Sequence, residues 1–127
     1  MRHNRITEAI IGCAIEVHRH LGPGLLESAY EAALCRELAL QRVAYQRQKR
    51  LALTYKGITL PQSYRLDLVV ESAVVVEVKA VETVLPIHEA QLLTYLKLGG
   101  YHVGLLLNFN VSQLRDGIVR KVLGFTE

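Results

Sequence analysis

The chain has 127 residues, half of them hydrophobic, which is enough to bury a core without metal or disulfide staples. Its two cysteines, Cys13 and Cys35, are too few for a four-cysteine zinc or iron–sulfur centre and read as small buried hydrophobes. A net charge of +3 is compatible with a nucleic-acid partner but does not by itself argue for one.

The first apolar stretch, from Ile6 to Val17, is interrupted by Glu8 and Glu16. No small-residue cleavage site follows it, so it does not read as a signal peptide. No run reaches the roughly 18 apolar residues of a membrane span, and a soluble, cytoplasmic protein is expected. Ile6, Ile10, Cys13, Val17 and Leu21 recur at helical spacing, and Gly22-Pro23-Gly24 stops that helix. A second helix is predicted from about Leu25 to Leu40, with Leu25, Ala29, Ala32 and Leu38 toward the core. Arg42, Arg47, Lys49 and Arg50 then crowd together with Gln46 and Gln48 between them. Such a run suits a solvated strand edge protected from aggregation, or a phosphate-binding surface.

From Val43 onward the period becomes two. Tyr45–Tyr55 reads as a strand, Lys56-Gly57 as a turn and Ile58–Leu60 as a short return. Tyr64–Val70 and Ala73–Ala80 are two further strands joined at Glu71-Ser72. Pro86–Leu98 is a third helix, ended by Gly99-Gly100. Tyr101–Phe109 is an almost continuous apolar strand, expected at the buried centre of a sheet, and Ile118–Leu123 is a last strand. The order predicts one α/β domain over residues 1–127, a mixed β-sheet flanked by α-helices.

Three charges break the apolar pattern of the hairpin: Asp67, Glu77 and Lys79. Ionised groups in an apolar strand are costly unless paired or metal-bound. Glu77 and Lys79 share a face about 6–7 Å apart, and Arg65 and Asp67 are expected to do the same. Asp67 joins Glu77 only if the hairpin loop has an odd number of residues. A three-residue loop, Glu71-Ser72-Ala73, pairs Val70 with Val74 and sets the two carboxylates opposite each other, with Cβ atoms about 4.5–5.5 Å apart. Two acids that close repel, and a divalent cation relieves the repulsion. The competing explanation is a salt-bridge network among Arg65, Asp67, Glu77 and Lys79.

Tyr64-Arg65-Leu66-Asp67 followed by Val76-Glu77-Val78-Lys79 resembles the D…ExK core of PD-(D/E)XK nucleases. Gly24-Leu25-Leu26-Glu27-Ser28-Ala29-Tyr30 is similar to the G-x-x-E-x-x-Y signature of the GxxExxY family. Gln91-Leu92-Leu93-Thr94-Tyr95 resembles the Q-x-x-x-Y element of the RecB-type branch of that superfamily. The resemblance runs from about Ile15 to Gly124 with its motifs in order, and it implies a restriction-endonuclease-like fold.

The resemblance also implies a site: Glu27, Asp67, Glu77 and the Val78 carbonyl around Mg²⁺ or Mn²⁺, with Asp67, Glu77 and Lys79 catalytic. Tyr30, Arg65, Gln91 and Tyr95 would contact substrate or support the site. The activity implied is metal-dependent hydrolysis of nucleic-acid phosphodiesters, DNA first among the substrates. A chain this short, with little basic excess, is expected to need a second copy or a partner protein to hold substrate. The alternatives are an inactive nucleic-acid-binding module, or a protein-interaction module, on the same fold. His88 stands one turn before Gln91 but belongs to no motif, and the other histidines show no ligand spacing.

Overall fold

The computed structural model describes residues 2–124, leaving aside the side chains of residues 62 and 63. Helix α1 (Arg2–Leu21) and helix α2 (Glu27–Leu40) come first. Strands β1 (Tyr45–Tyr55), β2 (Ile58–Val70) and β3 (Val74–Lys79) follow, then helix α3 (Pro86–Gly99), strand β4 (Val103–Asn108) and strand β5 (Ile118–Val122). One five-stranded sheet runs β1-β2-β3-β4-β5. It is mixed, because β3 and β4 are parallel across α3 while the other pairs are antiparallel. This is the mixed α/β arrangement that the chain order predicts, and the restriction-endonuclease-like fold that the motif resemblance implies.

The sheet separates two apolar clusters. One face carries Ile6, Ile10, Val17, Tyr30, Leu34 and Leu38 of α1 and α2 over Val74, Val76 and Val78 of β3. The other carries Leu92, Tyr95 and Leu96 of α3 over Val69, Val75 and Leu106. Strand β3 is central; β4 beside it is buried at all six positions, as its unbroken apolar run requires. Cys13 and Cys35 are buried free thiols in the first cluster.

Two expectations are corrected. In α2 the core face is Tyr30, Leu34, Cys35 and Leu38, while Leu25, Ala29 and Ala32 are exposed. The helix starts at Glu27, and its large side chains, four apart at 30, 34 and 38, outcompete the small alanines for the interior. Ile58–Leu60 is also no separate return, since β2 is continuous through Pro61 and forms a long arm with β1. The β1–β2 register shifts between Ala52 and Thr54, an irregularity of the kind that lets a ladder tolerate proline.

Tyr30 anchors the start of α2. Its hydroxyl donates to the Gly22 carbonyl and accepts from the Leu25 amide at 3.1 Å. Its ring stacks on Phe109 with centroids 4.6 Å apart. Tyr30→Phe should therefore destabilise the fold by about 1–2 kcal/mol in urea unfolding, because two partly buried backbone groups lose their partner while the stacked ring remains.

Candidate functional site

The hairpin register is the decisive local feature. Val70 pairs with Val74, Val69 with Val75 and Leu68 with Val76, so the loop holds three residues. Glu71 and Ser72 adopt φ of +52° and +54° to turn it. The same register sets Asp67 against Glu77, and there the regular ladder ends. In its place the two carboxylates bond to each other's strands. The Asp67 amide donates to Glu77 Oε2 at 2.9 Å, and the Val78 amide donates to Asp67 Oδ2 at 2.8 Å. Strand β2 thus parts from β3 at the site, while β3 continues along β4 to the Lys79–Asn108 pair.

A second irregularity meets the first. Leu66 is buried in the α3-side cluster and Leu68 in the opposite one, although residues two apart normally share a face. Strand β1 changes face over the same rungs, with Tyr45 on the α1–α2 side and Leu51 on the other. Between them Gln48, at φ +53°, faces Asp67 and donates to its Oδ1 at 3.4 Å. Both strands turn over at this rung. Arg65 and Asp67 therefore do not share a regular strand face as expected: the turnover falls between them.

Burial dominates the electrostatics. Glu77 is 6 % exposed. Desolvation first, and then the Asp67 charge, raise its pKa from 4.5 to about 8. Asp67 is also pushed up, mainly by burial, although the Val78 amide opposes the shift. The salt-bridge network that would neutralise the pair is absent. Among the described residues no ion pair within 4 Å joins Arg65 or Lys79 to either acid. Lys79 is half-buried on the face of Glu77, and its charge favours the ionised form of both carboxylates. Its backbone is held from β4: the Phe109 amide donates to the Lys79 carbonyl, and Asn108 bonds both the amide and the carbonyl of Val81.

Tyr95 of α3 is buried beside the pair, its phenol pushed up by burial and then by Glu77 and Asp67. Gln91, one turn earlier, is exposed; it lines, with Tyr64, Leu53 and Tyr95, a groove of about 420 Å³ between α3 and the arm. His88 instead caps α3, its Nδ1 accepting from the Leu85 amide at 3.0 Å.

Two expected members do not reach the acids. Tyr30 lies in the core, as described above, and touches no part of the cluster. Glu27, the first residue of α2, is exposed, with its carboxylate 3.4 Å from the Ala80 amide. The helix acid whose charge bears on Asp67 and Glu77 is Glu31, one turn further on. Buried at 6 % exposure, Glu31 accepts from Arg47 Nε at 2.6 Å and from Gln48 Nε2 at 2.9 and 3.1 Å. It thereby holds the residue that faces Asp67. Its position four after Glu27 was the available signal.

A family model described as the PD-(D/E)XK nuclease superfamily matches residues 4–121. The chain belongs to that superfamily. No curated protein and no solved structure matches it. Members of the PD-(D/E)XK superfamily are generally nucleases that use divalent metal ions. The donor set fits such an ion in chemistry: two close hard-oxygen ligands, Glu77 buried and Asp67 half-buried, that no ion pair within 4 Å neutralises. It is incomplete as a cage, because among the described residues no three His, Cys, Asp or Glu side chains converge on one point.

The raised pKa of Glu77 has a measurable sign. Between pH 4.5 and about 8 the folded protein binds a proton that the unfolded chain has released. Stability in EDTA should fall as pH rises through that window, by up to about 1.4 kcal/mol per pH unit from this group. Glu77→Gln should flatten the dependence and raise the urea midpoint at pH 8 relative to wild type. Equal pH slopes in the two proteins would contradict it.

Proposed function

We propose that this PD-(D/E)XK protein is a divalent-metal-dependent nuclease of the GxxExxY type, hydrolysing phosphodiester bonds of nucleic acid, DNA first. The observation that supports it is the reciprocal bonding of Asp67 and Glu77 across the end of the β2–β3 hairpin. That arrangement holds a buried and a half-buried acid together at the fork of the sheet, with a lysine on the face of Glu77 and no salt bridge to explain them.

Asp67, Glu77 and the Val78 carbonyl are the groups that would hold Mg²⁺ or Mn²⁺. The ion supplies Lewis acidity, lowering the pKa of water at the site and polarising the phosphodiester. The chain's own residues do the rest. Lys79 orients the attacking water or neutralises charge developing on the phosphoryl oxygens; free of any carboxylate partner, its ammonium is available for either role. Asn108 and Phe109 fix the backbone from which Lys79 projects. Tyr95 shields the acids on the α3 side, and Gln91 at the groove mouth is placed to meet substrate, consistent with the RecB-type element. Glu31, through Gln48, positions Asp67. A second copy or a partner chain would help the site retain substrate.

The discriminating assay is cleavage of single- and double-stranded DNA and RNA with Mg²⁺ or Mn²⁺. Lys79→Ala and Asp67→Ala should each lose at least about 100-fold in rate, with circular dichroism showing the fold kept. Binding has its own readout. Mn²⁺ should raise the melting temperature of wild type and of Lys79→Ala but not of Glu77→Gln. Metal stabilisation without cleavage of any substrate would favour an inactive nucleic-acid-binding module instead.

A further inference from the structure

The β1–β2 arm carries a feature that neither folding nor the acidic site explains. Arg50 and Arg65 are directly paired across the two strands. Both are exposed, and neither has a hydrogen-bond or ion-pair partner among the described residues. Like charges on one rung destabilise a strand pair. The neighbouring basic residues are committed elsewhere: Arg47 to Glu31, and Lys49 to the Tyr101 hydroxyl at 2.9 Å. Charge on an exposed strand edge does protect against aggregation. That purpose is served by charges on different rungs, and it does not call for two guanidiniums on the same one.

Their direction is informative. Leu66 and Leu51, on the rungs to either side (Lys49–Leu66 and Leu51–Tyr64), are buried in the α3-side cluster, so Arg50 and Arg65 point to the opposite face. That face also carries the Arg47–Glu31 contact at the flank of the site. Arg65 lies two residues from Asp67, about 6–7 Å along β2. Beyond the Leu68–Val76 pair β2 has left β3, so the arm stands clear of the sheet on that side. Two planar, permanently charged forks side by side suit the two non-bridging oxygens of a phosphodiester, and they suit them better than a single lysine would.

We propose that Arg50 and Arg65 together hold a backbone phosphate of the nucleic acid, one step removed from the bond facing Asp67 and Glu77. This deepens the nuclease reading and rests on it for the identity of the ligand. It makes the arm a sequence-independent grip, since phosphate contacts position a strand without reading bases.

The test is binding of a fluorescein-labelled DNA oligonucleotide in EDTA, where no hydrolysis intervenes, titrated at several salt concentrations. Arg65→Glu and Arg50→Glu should each weaken binding by about tenfold or more, and should reduce the steepness of the log Kd against log salt plot by about one phosphate contact. The neutral Arg65→Gln should weaken binding less, in the same direction. Arg65→Glu should also raise the melting temperature, because it turns a repulsive rung into an attractive one. A merely structural pair would lose stability and binding together. Variants that bind like wild type, or an unchanged salt slope, would overturn the grip, even if wild type cleaves DNA in Mn²⁺. Arginine-dependent binding in a protein that cleaves nothing would support the grip and remove the hydrolytic reading.

Discussion

The site depends on two hydrogen bonds that replace a rung of backbone ladder. At the end of the β2–β3 hairpin, carboxylates accept from amides that a regular sheet would pair with carbonyls. Each acid satisfies the strand opposite, so neither strand leaves an orphaned donor as they separate. The two side chains are thereby held close, with little freedom to relax their repulsion. The same contacts mark the fork where the two strands part. Removing either acid would free an amide as well as delete a charge, so an isosteric amide is a cleaner probe than alanine for stability, and alanine the harsher one for function.

Burial then turns proximity into chemical potential. Glu77 lies between the valines of the central strand and Tyr95, where ionisation is disfavoured without a counter-charge. Lys79 opposes this without forming an ion pair, and Glu31 adds to it. The protein carries an energetic debt at neutral pH that a hard cation would cancel. Such strain against stability is common where a site is shaped for a ligand and not for the empty fold.

Much of this was legible from residue spacing. The apolar runs placed all five strands and three helices, because burial on a sheet face imposes period two and on a helix 3.6. The odd-loop argument stated the condition under which the two acids meet, and the three-residue loop between Val70 and Val74 meets it. The face of α2 was not legible. Leu25, Ala29 and Ala32 look as suitable as Tyr30 and Leu34 until the helix start at Glu27 and the Tyr30–Gly22 bond set its rotation. That rotation carries Glu27 outward and Glu31 inward, which is why the helix acid nearest the pair was displaced by one turn. The turnover at Gln48 and Asp67 was equally hidden, because strict alternation is the assumption on which strand reading rests. Arg65 could not be placed for the same reason.

The turnover also links the acidic pair to the arm. Before that rung, β1 uses Arg47 to meet α2; beyond it, Lys49 and Leu51 serve the α3 side and Arg50 is released to solvent. Without the change of face, Arg50 and Arg65 would take the α3 side in place of Leu51 and Tyr64, where two guanidiniums would face desolvation against Ile87, Tyr95 and Leu98 of the groove. With it, they stand on the open side, where an anion can reach them. One irregular rung, held by Glu31 through Gln48, thus sets both where the carboxylates point and where the positive charge is displayed. The acid on α2 therefore bears on the geometry of the acidic pair from a distance, through Gln48 and the two strands of the arm, while its own direct partners are Arg47 and Gln48.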